Sequence, residues 1–166
     1  NVAPTIVRLL APGAELALPS LTPEVLPASL TDRVETVVLV VADGFGHLQL
    51  EREVAAGNAP VLKELIARED TAYSAISSVF PTTTVAALGS VNTGVEPTAH
   101  GLLGYTVYLA EFDTIGEMIR WGPVNRRGTF ADPDLSDGNG CTPEAFFWAE
   151  TVYQRLQALG VVRTFA

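Results

Sequence analysis

The run Ser78-Val79-Phe80-Pro81-Thr82-Thr83-Thr84 sets three threonine hydroxyls between a proline and an apolar segment that reads as helix. A hydroxyl at a helix start lies where the macrodipole and unpaired N–H groups favour negative charge, so it can serve as a cap or as a nucleophile toward an anionic centre. At neutral pH such a hydroxyl attacks poorly unless a general base or a metal ion activates it. The histidines on offer as bases are His47 and His100. A lone histidine near an aspartate is more often a surface or packing residue than a base, so metal activation is the better reading. Asp43, in Asp43-Gly44, is the candidate ligand for a divalent ion shared with Thr84, and its plainer alternative is a turn residue before the glycine.

Both candidates need elements to hold them. Val37-Val38-Leu39-Val40-Val41 is a compact apolar run ending close to Asp43, the pattern of a parallel strand buried on both faces. The segment from Ala59 to Asp70 has apolar residues at 61, 62, 65 and 66 behind Pro60, which predicts a helix. Thr71 to Pro81 reads as a second strand, and Thr84 to about Asn92 as a helix that Gly94 ends. Asp43 and the threonines therefore fall just beyond the carboxyl ends of two strands, the edge where open α/β sheets bind ligands. Further on, Gly104 to Val124 predicts a pair of strands around Phe112 to Gly116, a hairpin outside the main sheet. Asp132 to Glu144 is turn-rich. Thr142-Pro143-Glu144 opens a last helix running to Leu159, with Gly160 as its cap and Val161 to Phe165 as the start of another strand. Prolines at 4, 12, 19, 23 and 27 predict an irregular lead-in over the first 35 residues.

Composition narrows the function. At 166 residues, 48% hydrophobic and 17% charged, the chain has the size of one domain and can bury a core. A net charge of −9 without an acidic run argues against binding a nucleic acid polymer or an anionic membrane. An anionic substrate then needs a local positive centre, such as a metal. The longest wholly apolar run, Val37 to Ala42, is too short to cross a bilayer, and no signal peptide precedes it. With one cysteine, Cys141, no internal disulfide can form. The chain reads as soluble and cytoplasmic, although it starts at Asn1, so a native start and a targeting segment can lie before it.

Two stretches carry a resemblance. Val37 to His47, then Phe80 to Tyr105, are similar to the N-terminal signatures of the type I phosphodiesterase/nucleotide pyrophosphatase group of the alkaline phosphatase superfamily. In that group a strand ends in an Asp-Gly pair whose Asp binds metal, here Asp43-Gly44. A Phe/Tyr-Pro-Thr-x-Thr segment supplies the nucleophile, and a Thr-Gly-x-x-Pro-x-x-His-Gly stretch follows, here Thr93 to Gly101. The match runs without a gap, so the resemblance makes Thr84 the nucleophile, while Pro81 ends the strand and Thr82 and Thr83 shape the turn. His100-Gly101 reads as a structural turn and not as a metal ligand. The asparagine that helps hold phosphate in the group falls on Tyr105 here, a departure from the pattern.

The resemblance implies an alkaline phosphatase-like α/β fold, mainly a parallel sheet flanked by helices, and a metal-dependent phosphoester hydrolase forming a phospho-threonine intermediate. It implies two divalent metal ions, zinc in the intact enzyme, and a small phosphoester substrate. The later Asp and His segments that complete such a site are absent from these residues, so residues 1–166 are expected to be the N-terminal part of a larger catalytic domain, with an open sheet edge and a half-empty cleft. Val161 to Phe165 is then expected in the main sheet near Val37 to Val41. Sulfatases share the fold, but the segment at Cys141-Thr142-Pro143-Glu144 lacks the arginine their modified residue requires. The competing class is a noncatalytic or degenerate α/β module using Gly44-Phe45-Gly46 against a phosphate; Gln49 stands where a dinucleotide fingerprint has its third glycine.

Overall fold

A computed structural model describes residues 1–14, 16–124, 135, 140–146 and 148–161. They divide into two compact units, Asn1–Ser77 and Ser78–Ala166.

The first unit opens with helix α1, Val2–Leu10, where an irregular lead-in was expected. Pro4 is tolerated because it lies in the first turn, where an N–H has no partner within the helix. Ala3 and Val7 are buried. Thr5 ties the helix to the strand-free segment after it: its hydroxyl donates to the Asn1 carbonyl at 2.7 Å and accepts the Leu21 N–H at 2.8 Å. Beyond a single helical turn at Ala28–Leu30 come α2, His47–Ala55, and α3, Pro60–Ile66. The latter matches the helix expected behind Pro60.

The parallel sheet is not formed among the described residues. Residues 34–42 and 71–79 belong to no ladder, and the only sheet there is antiparallel. The expected strands at Val37 to Val41 and Thr71 to Pro81 are corrected accordingly. A parallel strand is stable when neighbours take its N–H and C=O groups and when both faces are covered. Here Val38 and Val40 are 81% and 82% exposed, and neither α2 nor α3 buries a residue, so the faces such a sheet requires are bare.

The second unit holds α4, Thr84–Thr93, and α5, Pro97–His100, followed by a three-stranded sheet. Strands β1, Thr106–Leu109, and β2, Thr114–Glu117, pair antiparallel with Leu109 opposite Thr114, and β2 pairs with β3, Gly122–Pro123. The hairpin expectation is met, with its turn at Ala110 to Asp113. Asp113 takes a left-handed φ of 45°, and its carboxylate accepts the Tyr108 hydroxyl at 2.7 Å. Val85, Leu102, Leu109, Met118, Trp121, Leu135 and Cys141 form one buried cluster. Trp121 anchors it by donating its indole N–H to the Cys141 carbonyl at 2.6 Å and meeting the Phe146 ring edge-on, centroids 5.5 Å apart.

The expected helix from Thr142 to Leu159 is two helices, α6, Pro143–Phe146, and α7, Val152–Ala158. Thr142 does cap α6, accepting the Ala145 N–H at 3.1 Å. The break is made by Thr151, which begins α7 with a reciprocal cap: its hydroxyl accepts the Gln154 N–H, and the Gln154 side chain accepts the Thr151 N–H at 2.8 Å. Gly160, at φ 84°, closes α7 as expected, and the Val161 N–H returns to the Leu156 carbonyl. Residues 162–166, most of the expected strand at Val161 to Phe165, lie outside the described residues, as does most of the turn-rich segment before Cys141.

Candidate active site

The threonine run divides its labour over the entry to α4. The Thr82 hydroxyl donates to the Val79 carbonyl at 3.1 Å, and the Thr83 N–H donates to Pro81 at 2.9 Å, so the chain turns before it coils. Thr83 is the N-cap: its backbone is extended and its hydroxyl accepts the Ala86 N–H at 3.2 Å. Thr84 is the first helical residue, half-buried, with its backbone inside the first turn. A phosphoryl group brought there would meet the positive end of a ten-residue helix. Val85 and Ala86, the next two residues, are buried, Val85 within the core cluster, so the start of α4 is pinned from inside.

A second anchor lies one turn further along. His100 ends α5 with 1% of its surface exposed. Its Nδ1 accepts the Leu102 N–H at 3.1 Å, so the ring proton sits on Nε2, which faces the Ser90 hydroxyl at 3.1 Å. Burial pushes this imidazole below the ordinary histidine value, and backbone hydrogen bonds at Ala86 and at His100 itself pull the other way. The ring packs against α4 at Gly89, where an added Cβ would lie 2.6 Å from the imidazole Cε1. Only a glycine fits the contact as built. The expectation that His100-Gly101 forms a turn is met, with Gly101 at φ 78°, but the contact with Gly89 and Ser90 was not foreseen. A glycine within a helical pattern was the available signal, since it costs stability there unless something packs closely.

Asp43 lies in the first unit and Thr84 in the second. The Asp43 carboxylate is exposed and accepts the N–H of Gly44, which takes a left-handed φ of 68°. This is a tight turn leading through Gly46 into α2. His47 at the head of α2 is engaged by its neighbours: Nδ1 lies 2.9 Å from the Tyr73 hydroxyl and Nε2 lies 3.4 Å from the Glu51 carboxylate. Desolvation, and behind it the negative charge of Glu51, pushes the Tyr73 phenol up.

The donor set falls short of what zinc requires. Asp43 and Thr84 offer oxygen ligands, which suit a divalent cation, but a zinc site takes about four donors. Among the described residues no cluster of three or more His, Cys, Asp or Glu could hold an ion. His100 has both ring nitrogens committed within the second unit. The described side chains therefore do not make a complete zinc site.

A family model described as type I phosphodiesterase / nucleotide pyrophosphatase matches residues 37–161, well over half of the chain. The chain belongs to this family. A search of curated proteins and a search of solved structures each found no match. Family membership indicates a hydrolase of the phosphodiesterase/nucleotide pyrophosphatase type and implies an alkaline phosphatase-like α/β fold. Asp43, the threonine run, Gly89 and His100 all fall within the matched residues, while α1 and the segment to Thr36 precede them. No helix among the described residues is long and apolar enough to cross a membrane.

Proposed function

We propose that Thr84 is the nucleophile of a metal-dependent phosphoester hydrolase. What carries the reading is family membership, together with the station of Thr84 at the first position of a capped helix. In this mechanism the Thr84 hydroxyl gives up its proton to solvent and its oxygen forms a bond to phosphorus as the bond to the leaving alkoxide breaks in line with it, the alkoxide taking up a proton to depart as the alcohol. The first turn of α4 faces the nonbridging oxygens, where its dipole offsets their charge. Thr83 keeps that turn ordered through its cap to Ala86. Water then cleaves the phospho-threonine, releasing the phosphate monoester and restoring the hydroxyl.

Asp43 and Thr84 are proposed as ligands of divalent ions, two per active site and zinc in our reading, with the remaining ligands supplied by chain beyond residues 1–166. Such ions, when bound, supply activation of the hydroxyl and compensation of charge on the leaving oxygen. Residues 1–166 would then be the N-terminal part of the catalytic domain, acting on a small phosphoester. The test is hydrolysis of bis(p-nitrophenyl) phosphate by the full-length protein with zinc added. Thr84→Ala is expected to abolish turnover and Thr84→Ser to keep part of it, because an attacking oxygen survives. Turnover undiminished in Thr84→Ala would refute the assignment.

A further inference from the structure

The contact between α4 and α5 joins the segment bearing Thr84 to a buried, fully engaged imidazole, and it is built from three complementary features. Gly89 removes the side chain that would hold the two elements apart, as the 2.6 Å approach of its absent Cβ to the ring shows. Ser90 receives the ring on the side of α4, and the Leu102 N–H holds the ring from the other side. Apolar packing through Val85 and Ala86 near its first turn, and against α7, still leaves α4 some freedom to roll about its own axis. A polar contact one turn on, at Ser90, removes that freedom, because hydrogen bonds have directions and apolar contacts do not.

We propose that His100, as a neutral imidazole donating from Nε2 to Ser90, fixes the rotation of α4 and thereby the direction in which the Thr84 hydroxyl points. His100 is a positioning residue: it touches no substrate and acts through the helix. The proposal rests on the assignment of Thr84 as nucleophile. It separates the two ring nitrogens by function. Nε2 orients α4, and Nδ1 holds the ring on the backbone at Leu102. Glutamine at this position keeps a donor near the place of Nε2, whereas asparagine keeps an acceptor near the place of Nδ1.

The full-length protein loaded with zinc, assayed on bis(p-nitrophenyl) phosphate, tests this. His100→Ala is expected to lower kcat by about 10- to 100-fold, the scale of a misplacement near 1 Å, with KM nearly unchanged. His100→Gln should recover much of the loss and His100→Asn little. Gly89→Ala, which drives the ring off from the opposite side, should reproduce the loss. Hydrogen exchange provides a readout without turnover: amides from Ala86 to Ser90 should exchange faster in His100→Asn and Gly89→Ala than in His100→Gln. If His100→Ala does not fold, the Gln and Asn pair carries the test. A wild-type protein without turnover would overturn the hydrolase reading and the positioning role with it. Wild-type turnover with an unchanged kcat in His100→Ala, or equal recovery by Gln and Asn, would overturn the positioning role alone.

Discussion

Three adjacent threonines with the same side chain have three different surroundings, and their substitutions should separate accordingly. Thr82 contributes one exposed hydrogen bond to Val79, so Thr82→Ala should change stability by no more than about 0.5 kcal/mol. Thr83→Ala removes the cap of α4 and should cost about 1 kcal/mol, read as a lower urea midpoint, while a substantial part of the hydrolysis remains. Thr84→Ala should abolish turnover, because no attacking oxygen remains. Equal losses of activity at all three positions would mean that the run serves folding and not attack. His100 adds a pH dependence of known sign. Folding holds its pKa below the ordinary 6.5, so the unfolded chain takes up the proton first as pH falls. Stability from this residue is full above about 6.5 and is lost as pH drops through that value toward the folded pKa. Urea midpoints at pH 7.5 and 5.5 should therefore converge in His100→Gln relative to wild type; an unchanged difference would remove His100 as the source.

Helices were more legible than strands, for a reason visible in α4 and in residues 37–41. A helix satisfies its own backbone, so local signals suffice: Thr83 and Gly94 bound α4, and Pro60 marks the first turn of α3. A strand depends on a neighbour that its own sequence does not name. Val37 to Val41 has the β-branched composition of a buried strand, yet it has no ladder among the described residues. The hairpin β1–β2 succeeds because its partner is only a short turn away. Periodicity misled in the other direction at Thr142 to Leu159, where a continuous pattern concealed the start of α7. Thr151 and Gln154 form a capping box, and that signature was present in the sequence. Thr151→Ala should lower the stability of α7 by about 1 kcal/mol, measured as faster amide exchange from Arg155 to Leu159; unchanged exchange would mean that tertiary contacts through Val152 and Leu156 hold the helix without its cap.

At the scale of the whole molecule, the bare apolar side chains of the first unit are the main open account. Val61, Leu62 and Leu65 on α3, Leu48 on α2, and Val38 and Val40 on the extended segment are all exposed. Exposed β-branched segments with unsatisfied backbone groups are templates for pairing with other chains. A polypeptide limited to residues 1–166 is therefore expected to bind the dye ANS strongly and to self-associate on size-exclusion chromatography at micromolar concentration. The full-length protein should do neither, if the rest of the catalytic domain covers these faces. Weak dye binding and a monomeric elution volume for residues 1–166 would argue against the proposed larger domain.

The sequence by itself determined what depends on residue type and near neighbours. It carried the Asp43-Gly44 turn, the start and stop of α4, the position of Thr84 at that start, the hairpin around Phe112, and family membership through motifs that a family model also matches. These follow from covalent spacing and local hydrogen bonding, which a linear string preserves. Only the tertiary structure decided that Thr83 and not Thr84 supplies the cap, that Thr151 divides the last helix, and that the apolar runs at 37–41 and 71–79 stand outside any ladder among the described residues. It also decided that His100 reaches across to Gly89 and Ser90. Residues 89 and 100 become neighbours because the turn between α4 and α5 folds one element onto the other, and no local periodicity records that approach.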